Sequence, residues 1–296
     1  MSAFLDVVTG YLGAGKTTFI LKYIDYLKEN NITFAVIENE FGRAGTDADI
    51  LRASCSEILE ISGGCVCCTL KTTLYDMLNS LSEKVDRIIL EPSGIFCGDD
   101  LIDIINSPSL SIKPGFWLGV IDPLMMNRLA PEEREVLTAE IIHAGAVYIS
   151  KTDLGEIVTE RPVKSVTEYL NGATEEILPM IFSGSDIDFE ALLETGYVVR
   201  PHERKVFDHT TMYMSASIVP KRKFTENELL EALNAVYSDD CGEIMRIKGS
   251  AAAENGGWRV NCSIGCDSIL YDSKITLPIL NIIGKKLNRK KINTIF

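Results

Sequence analysis

A glycine-rich run near the start of the chain has the residue types and spacing of a phosphate-binding loop. The run spans residues 10–18 and reads GYLGAGKTT. It follows the apolar segment 4–8 and precedes apolar residues at helical spacing, so a strand, a loop and a helix follow in order. Glycines let consecutive backbone N–H groups face a polyphosphate, and the dipole of the following helix adds to the attraction. This context predicts a P-loop, with a plain glycine turn as the alternative.

Within this loop, each side chain has an expected task. Lys16 is predicted to reach the β and γ phosphates, and Thr17 to offer its hydroxyl to Mg²⁺. The residues expected to surround the phosphates are Gly13, Ala14, Gly15, Lys16, Thr17 and Thr18.

Two carboxylates follow predicted buried strands. Glu38 closes the apolar run 33–37, and Glu91 closes the run 87–90. In doubly wound sheets, ligands collect beyond the carboxyl ends of the strands. Glu91 could hold the hydration shell of Mg²⁺ while the N–H of Gly94 meets the γ phosphate. Glu38 could face either the Mg-nucleotide or a second metal, with a solvated acidic loop as the alternative.

A cluster of cysteines lies between these two strands. Cys65, Cys67 and Cys68 place three thiols in four residues, which suits Zn²⁺ or another thiophilic ion. Because Cys65 and Cys67 share one face of an extended strand and Cys68 points away, three ligands from this run require a turn. A fourth ligand must come from Glu38, Cys97 or water. Buried packing or a redox pair is the alternative.

The run Ser150-Lys151-Thr152-Asp153 follows another apolar segment and is a close variant of the N-K-x-D guanine motif. The carboxylate of Asp153 can accept from guanine N1–H and the 2-amino group, which adenine does not offer. The aliphatic stem of Lys151 would cover the ring. Since an unmatched buried polar group is costly, this arrangement predicts selectivity for GTP.

Composition restricts the class of protein further. The chain has 296 residues, of which 46% are hydrophobic, so it can bury a large core. The formal net charge of -13 makes the backbone of a nucleic acid an unlikely partner. No signal segment or membrane span is recognisable, which predicts a cytoplasmic protein. Its eight cysteines are therefore expected to be reduced.

The last third of the chain predicts a smaller α+β domain. Thr225 and Glu228 form a capping box before an amphipathic helix, and strand-like runs lie on either side of it. Cys262 and Cys266 could form a second metal pair, but packing is the favoured interpretation because lone buried cysteines are common.

Together, these motifs resemble those of the CobW-type metallochaperone GTPases. The resemblance covers roughly residues 1–195 and rests, in order, on GYLGAGKTT, ENEFG with the downstream Asp47, GGCVCC, EPSG and SKTD. It implies an α/β fold, with a P-loop, Rossmann-like GTPase domain and a mainly parallel sheet over residues 1–200. A smaller C-terminal α+β domain is expected over residues 206–296.

The resemblance also implies ligands and roles. The expected ligands are GTP or GDP, Mg²⁺ and a transition metal, Zn²⁺ or Co²⁺. The implied catalytic residues are Lys16, Glu91 and Gly94. The implied base-binding residues are Ser150, Lys151 and Asp153. Mg²⁺ is expected at Thr17, and at Glu91 through water. The transition metal is expected at Cys65, Cys67, Cys68 and Glu38.

The implied function is delivery of the metal to a client metalloprotein or a cofactor pathway. Neither a nucleic acid nor a membrane is expected as a partner, and a homodimer is a possible assembly. A GTP-gated switch with a structural metal site is the alternative. A small-molecule kinase is disfavoured by SKTD. Pro92 removes a backbone donor just before Gly94. Two positions depart from the family pattern: Arg43 after ENEFG, and Ser150 in place of an asparagine. The last is expected to remove an amide that braces the loop.

Overall fold

The computed structural model describes residues 2–38, 58–60, 69–92, 98–108, 110–126, 129–152, 166, 168–170, 180–184, 187–200, 213–263, 266–275 and 277–296. The described residues form two compact units, one up to residue 200 and the other from residue 213. The domain boundaries at residues 200 and 206 stay a prediction. Within the described residues, no helix is both long and apolar enough to cross a bilayer.

The first unit is built on a parallel sheet of seven strands. Their spatial order is β3-β2-β4-β1-β5-β6-β7, and every neighbouring pair is parallel. This arrangement confirms the predicted α/β class. The strands are β1 (Phe4–Thr9), β2 (Phe34–Glu38), β3 (Ile58–Glu60), β4 (Arg87–Glu91), β5 (Lys113–Ile121), β6 (Ala146–Ile149) and β7 (Met180–Ser183).

Helices alternate with these strands. They are α1 (Lys16–Glu29), α2 (Thr69–Leu81), α3 (Gly98–Ile105), α4 (Pro123–Met126), α5 (Pro131–Ile141) and α6 (Phe189–Leu193). The apolar stripe predicted for α1 is buried. Its members, each at most 1% exposed, are Phe19, Ile20, Tyr23, Ile24 and Leu27. This stripe packs α1 into the core, which fixes the glycine loop at the carboxyl end of β1.

A buried charge pair joins the centre of the sheet to α1. Asp6 on β1 is fully buried and accepts from both Nε and Nη2 of Arg87 on β4, each at 2.6 Å. Tyr23 of α1 donates its hydroxyl to the same carboxylate at 2.8 Å. Because a buried charge is stable only when it is paired and hydrogen-bonded, this triad fixes β1, β4 and α1 relative to one another.

The second unit is an antiparallel sheet with helices. Its strand order is β11-β10-β9-β12-β8. The elements are β8 (Met214–Ile218), α7 (Glu226–Val236), a 3₁₀ turn (Asp239–Cys241), β9 (Glu243–Ala252), β10 (Gly257–Ser263), β11 (Cys266–Asp272), β12 (Leu280–Lys285) and α8 (Arg289–Ile295). The predicted capping box is present, because Glu228 N–H donates to Thr225 Oγ1 and the Glu228 carboxylate accepts from Thr225 N–H. Cys262 is buried in the apolar core of this unit, as the packing interpretation expects.

Candidate functional site

The glycine loop between β1 and α1 has a backbone that only glycine adopts easily. Gly10 has φ 141° and Gly15 has φ 100°, both in the region that L side chains rarely occupy. A side chain at Gly10 would also collide with the carbonyl of Val120 on β5. These glycines are therefore needed for the path of the loop.

Lys16 is buried at the first position of α1. Its Nζ donates to the carbonyl oxygens of Gly10 at 2.8 Å and Tyr11 at 3.3 Å. The loop therefore holds the ammonium group at its own centre. A positive charge surrounded by a loop of glycines and by a helix N-terminus is suited to a polyphosphate.

Thr17 and Glu91 meet beside this loop. Thr17 Oγ1 donates to the Glu91 carboxylate, at 3.2 Å from Oε2 and 3.5 Å from Oε1. Glu91 is the last residue of β4 and is buried. A hydroxyl and a carboxylate provide the hard oxygen ligands that Mg²⁺ prefers, so these two residues fit the predicted ion.

Glu38 lies next to Glu91 across two neighbouring strands. The two are register partners at the ends of β2 and β4, and both are buried. Register partners in adjacent strands project from the same face of a sheet. The residue predicted for the transition metal is thus beside the residue predicted for Mg²⁺.

The remaining predicted metal ligands, Cys65, Cys67 and Cys68, lie outside the described residues, as do Gly94, Cys97 and Asp153. Among the residues that the structure describes, no group of three His, Cys, Asp or Glu side chains could hold a metal ion. The assignment of the thiol site therefore rests on the sequence.

Ser150 contacts the glycine loop directly. Its hydroxyl donates to the carbonyl oxygen of Ala14 at 2.6 Å, although the two residues are 136 positions apart. The sequence led us to expect that serine removes a loop-bracing amide at this position. The amide is absent, but the hydroxyl of the shorter side chain joins the loop after β6 to the P-loop.

Lys151 has an unusual backbone and a buried partner. Its φ of 56° is in the left-handed region, which costs a non-glycine residue roughly 1–2 kcal/mol. Its Nζ lies 2.7 Å from Oδ2 of Asp122, the residue that follows β5. Strained backbone conformations of this kind concentrate at functional sites.

A hydrogen bond between the P-loop and α5 was not predicted from the sequence. The hydroxyl of Tyr11 donates to Glu133 Oε1 at 3.0 Å, and Glu133 Oε2 accepts from the N–H of Ala130 at 2.8 Å. Glu133 thus caps the N-terminus of α5 and also accepts a hydrogen bond from Tyr11 of the P-loop. The local signal was a glutamate at the third position of a helix that starts with Pro131, which is typical of a capping residue but says nothing about Tyr11.

The surroundings of a second glutamate on α5 shift its pKa. Glu140 is buried, and neither carboxylate oxygen has a hydrogen-bond partner among the described residues. Burial raises the pKa of Glu140 from its ordinary value of 4.5 to about 8, and the charge of Lys16 opposes this shift. Burial therefore favours the neutral, protonated form of this carboxyl.

The strand, the glycine loop and α1, with Thr17 facing Glu91, define a P-loop nucleotide-binding domain of the α/β class. The sequence model of the CobW/HypB/UreG family, nucleotide-binding domain, matches residues 4–177. The chain belongs to this family.

Characterised relatives share part of the sequence. The zinc chaperone YeiR of Escherichia coli strain K12 is 32% identical over 152 residues, which cover 50% of this chain and 46% of YeiR. The zinc chaperone CobW of Sinorhizobium sp is 37% identical over 113 residues, which cover 35% of this chain and 31% of that protein. These matches span less than half of each relative. The solved structure of Zn(II)-bound YjiA GTPase from E. coli aligns with 100% of this chain and 98% of its own, at 18% identity and a TM-score of 0.44.

Proposed function

We propose that this protein binds and hydrolyses GTP with Mg²⁺, and that it binds a transition metal and delivers it to a client protein or cofactor pathway. The metal would be Zn²⁺ or Co²⁺, held by Cys65, Cys67, Cys68 and Glu38. Membership of the CobW/HypB/UreG family and relatives named zinc chaperones support this proposal.

The observation that carries the nucleotide half of the proposal is the contact between Thr17 and Glu91. It joins the first turn of α1, which begins with Lys16, to the end of β4 and pairs a hydroxyl with a carboxylate there. When bound, Mg²⁺ would supply the charge that neutralises the phosphate oxygens during transfer.

The side chains of the chain itself perform the other tasks. Lys16 exchanges its carbonyl partners for phosphate oxygens, which replaces neutral acceptors by charged ones and strengthens the hydrogen bonds. Glu91 and Gly94 sense whether a γ phosphate is present, since Glu91 ends β4 and Gly94 comes three positions later in the sequence. Ser150, Lys151 and Asp153 form the base-binding side, with Asp153 selecting guanine.

The metal half of the proposal rests on the position of Glu38. Glu38 is paired with Glu91 in the sheet register. A displacement of β4 that accompanies nucleotide binding would therefore also displace Glu38, a ligand of the transition metal. The three thiols supply soft ligands and Glu38 supplies a carboxylate, a set suited to Zn²⁺. The pairing of Glu38 with Glu91 favours an exchangeable metal, which is loaded and released, over a structural metal that stays bound.

The direct test measures nucleotide binding, hydrolysis and metal binding on one preparation. We expect GTP to bind more tightly than ATP, Mg²⁺ to be required for hydrolysis, and Lys16→Ala to abolish it. The matched control is Lys28→Ala on the same helix, whose side chain is exposed and far along the chain from the loop. Equal affinity for ATP and GTP would contradict the proposal. Tight metal binding whose affinity does not depend on the bound nucleotide would favour the GTP-gated switch with a structural metal.

A further inference from the structure

The carboxylate of Asp122 is fixed at both of its oxygens. Its Oδ1 accepts from the N–H groups of Leu124 at 2.9 Å and Met125 at 3.3 Å, in the first turn of α4. Its Oδ2 accepts from Nζ of Lys151 at 2.7 Å. The Asp122 side chain is only 1% exposed. A carboxylate held in this way is a rigid anchor, because it has no freedom to follow a moving partner.

Lys151 is held at its other end by the backbone that precedes it. The N–H of Ser150 donates to the carbonyl of Ile121 at 2.9 Å, and the hydroxyl of Ser150 binds Ala14 in the P-loop. The φ of 56° at Lys151 then directs the chain away from the strand. The methylene stem of Lys151 therefore lies between a held backbone and a held carboxylate.

We propose that Asp122 is a positioning residue for base recognition, which holds Lys151 so that its stem forms one wall of the base pocket before the nucleotide arrives. The inference rests on the proposed function, in which Lys151 covers the guanine ring. A free lysine side chain has many rotamers, and ordering it on binding reduces affinity. Asp122 removes that cost in advance because the ordering is already part of the fold.

An ion pair without this role would have a different signature. Exposed ion pairs contribute little to stability. The pair of Asp122 and Lys151 is mostly buried, with side-chain exposures of 1% and 13%. Its loss should reduce the affinity for GDP and GTP by the same factor, since the base is common to both and the γ phosphate is not involved.

The test is a double-mutant cycle in the full chain, with GDP and a slowly hydrolysed GTP analogue as probes. Asp122→Asn keeps an oxygen that can cap α4 and removes the charge that holds Lys151. We expect affinities for both probes to fall about tenfold. In a Lys151→Met background, Asp122→Asn should cause no further loss, because the ammonium group it positions is gone. The control is Asp25→Asn, an exposed position on α1 that should bind like the unaltered protein.

The outcomes separate this inference from the proposed function. If the unaltered protein does not prefer GTP to ATP, the proposed function fails. If it does prefer GTP but Asp122→Asn binds both probes normally, or its loss is additive in the Lys151→Met background, the positioning role is overturned. Should Asp122→Asn not fold, Asp122→Ser, which also keeps an oxygen that can cap α4, takes its place in the same cycle. A loss for both probes that disappears in the Lys151→Met background supports the inference, and unchanged affinity or an additive loss overturns it.

Discussion

The hydroxyl of Thr17 lies 3.2 Å from the carboxylate of Glu91, across 74 positions of sequence. The contact places the first turn of α1 against the end of β4. These are the two residues that we assign to Mg²⁺, one directly and one through water. The fold thus brings the two side chains into hydrogen-bond contact from distant parts of the chain.

Replacing Glu91 by glutamine should stop hydrolysis while leaving much of the nucleotide binding. Glutamine keeps the shape and an acceptor for Thr17 but removes the negative charge that would orient the Mg²⁺ hydration shell. We expect the single-turnover rate of GTP hydrolysis to fall at least about a hundredfold. Glu83→Gln, at an exposed position after α2, is the matched control. A Glu91→Gln variant that hydrolyses GTP at the normal rate would refute this role.

Replacing Ser150 by alanine should lower both the stability of the protein and its affinity for nucleotides. The change removes the donor to Ala14 and leaves a buried carbonyl, so we expect the free energy of unfolding to fall by about 1–2 kcal/mol. Affinities for GDP and GTP should fall together because the P-loop is less firmly held. Ser80→Ala is a useful control, since that exposed hydroxyl also binds a carbonyl, Met77, but within its own helix. Denaturant unfolding that gives equal losses for both variants would contradict the bracing role.

The sequence predicted the elements whose pattern is local. The stripe on α1 follows a 3.6-residue period, and the capping box at Thr225 is a four-residue signal, so both could be recognised without the fold. Strands β11 and β12 were not predicted. In β11, at the edge of its sheet, the consecutive residues Leu270 and Tyr271 are both exposed, so apolar and polar residues do not alternate clearly.

The candidate site was predicted as a set of motifs, and its cross-connections were not. Tyr11 stands at a variable position of the P-loop pattern, so nothing in the sequence indicates that it binds Glu133, 122 positions away. The pairing of Asp122 with Lys151 was missed for the same reason. Contacts of this kind depend on which strands become neighbours, and a local pattern does not encode that order.

Stability should depend on pH through Glu140. Its pKa is raised by burial to about 8, so between pH 4.5 and 8 the folded state holds a proton that the unfolded state has released. The free energy of unfolding therefore decreases as pH rises through this window, by on the order of 4 kcal/mol in all. Glu140→Gln cannot ionise, and its stability relative to the unaltered protein should rise steadily from pH 5 to pH 8.

Denaturant unfolding at several pH values measures this effect. Glu132→Gln, exposed on the same helix, should follow the pH dependence of the unaltered protein. A constant difference between Glu140→Gln and the unaltered protein across the range would show that Glu140 ionises normally in the fold.

Guanine selectivity should depend on Asp153. Asp153→Asn replaces one acceptor oxygen by an amide N–H donor. We expect the affinity for GTP to fall and the affinity for xanthine nucleotides to rise, because their 2-oxo group can accept a hydrogen bond from the new amide. Competition binding with GTP and XTP gives the ratio. A variant with the same preference for GTP as the unaltered protein would remove Asp153 from the base site.

The central claim is that the metal site and the nucleotide site are coupled. Glu38 and Glu91 are neighbours in the register of β2 and β4, and the thiols lie in the sequence between these strands. Coupling between two sites is reciprocal and typically worth roughly 1 to 3 kcal/mol, which corresponds to a change of about fivefold to 150-fold in affinity. A change of that size is sufficient for loading and release of the metal.

The most direct measurement is a competition titration with Zn²⁺ or Co²⁺, in GDP and in a slowly hydrolysed GTP analogue, on the unaltered protein and on Cys67→Ala. Our account predicts metal affinities that differ at least about fivefold between the two nucleotides, and loss of both the binding and the difference in Cys67→Ala. Equal metal affinity in the two nucleotide states, or metal binding that is unchanged in Cys67→Ala, would contradict it.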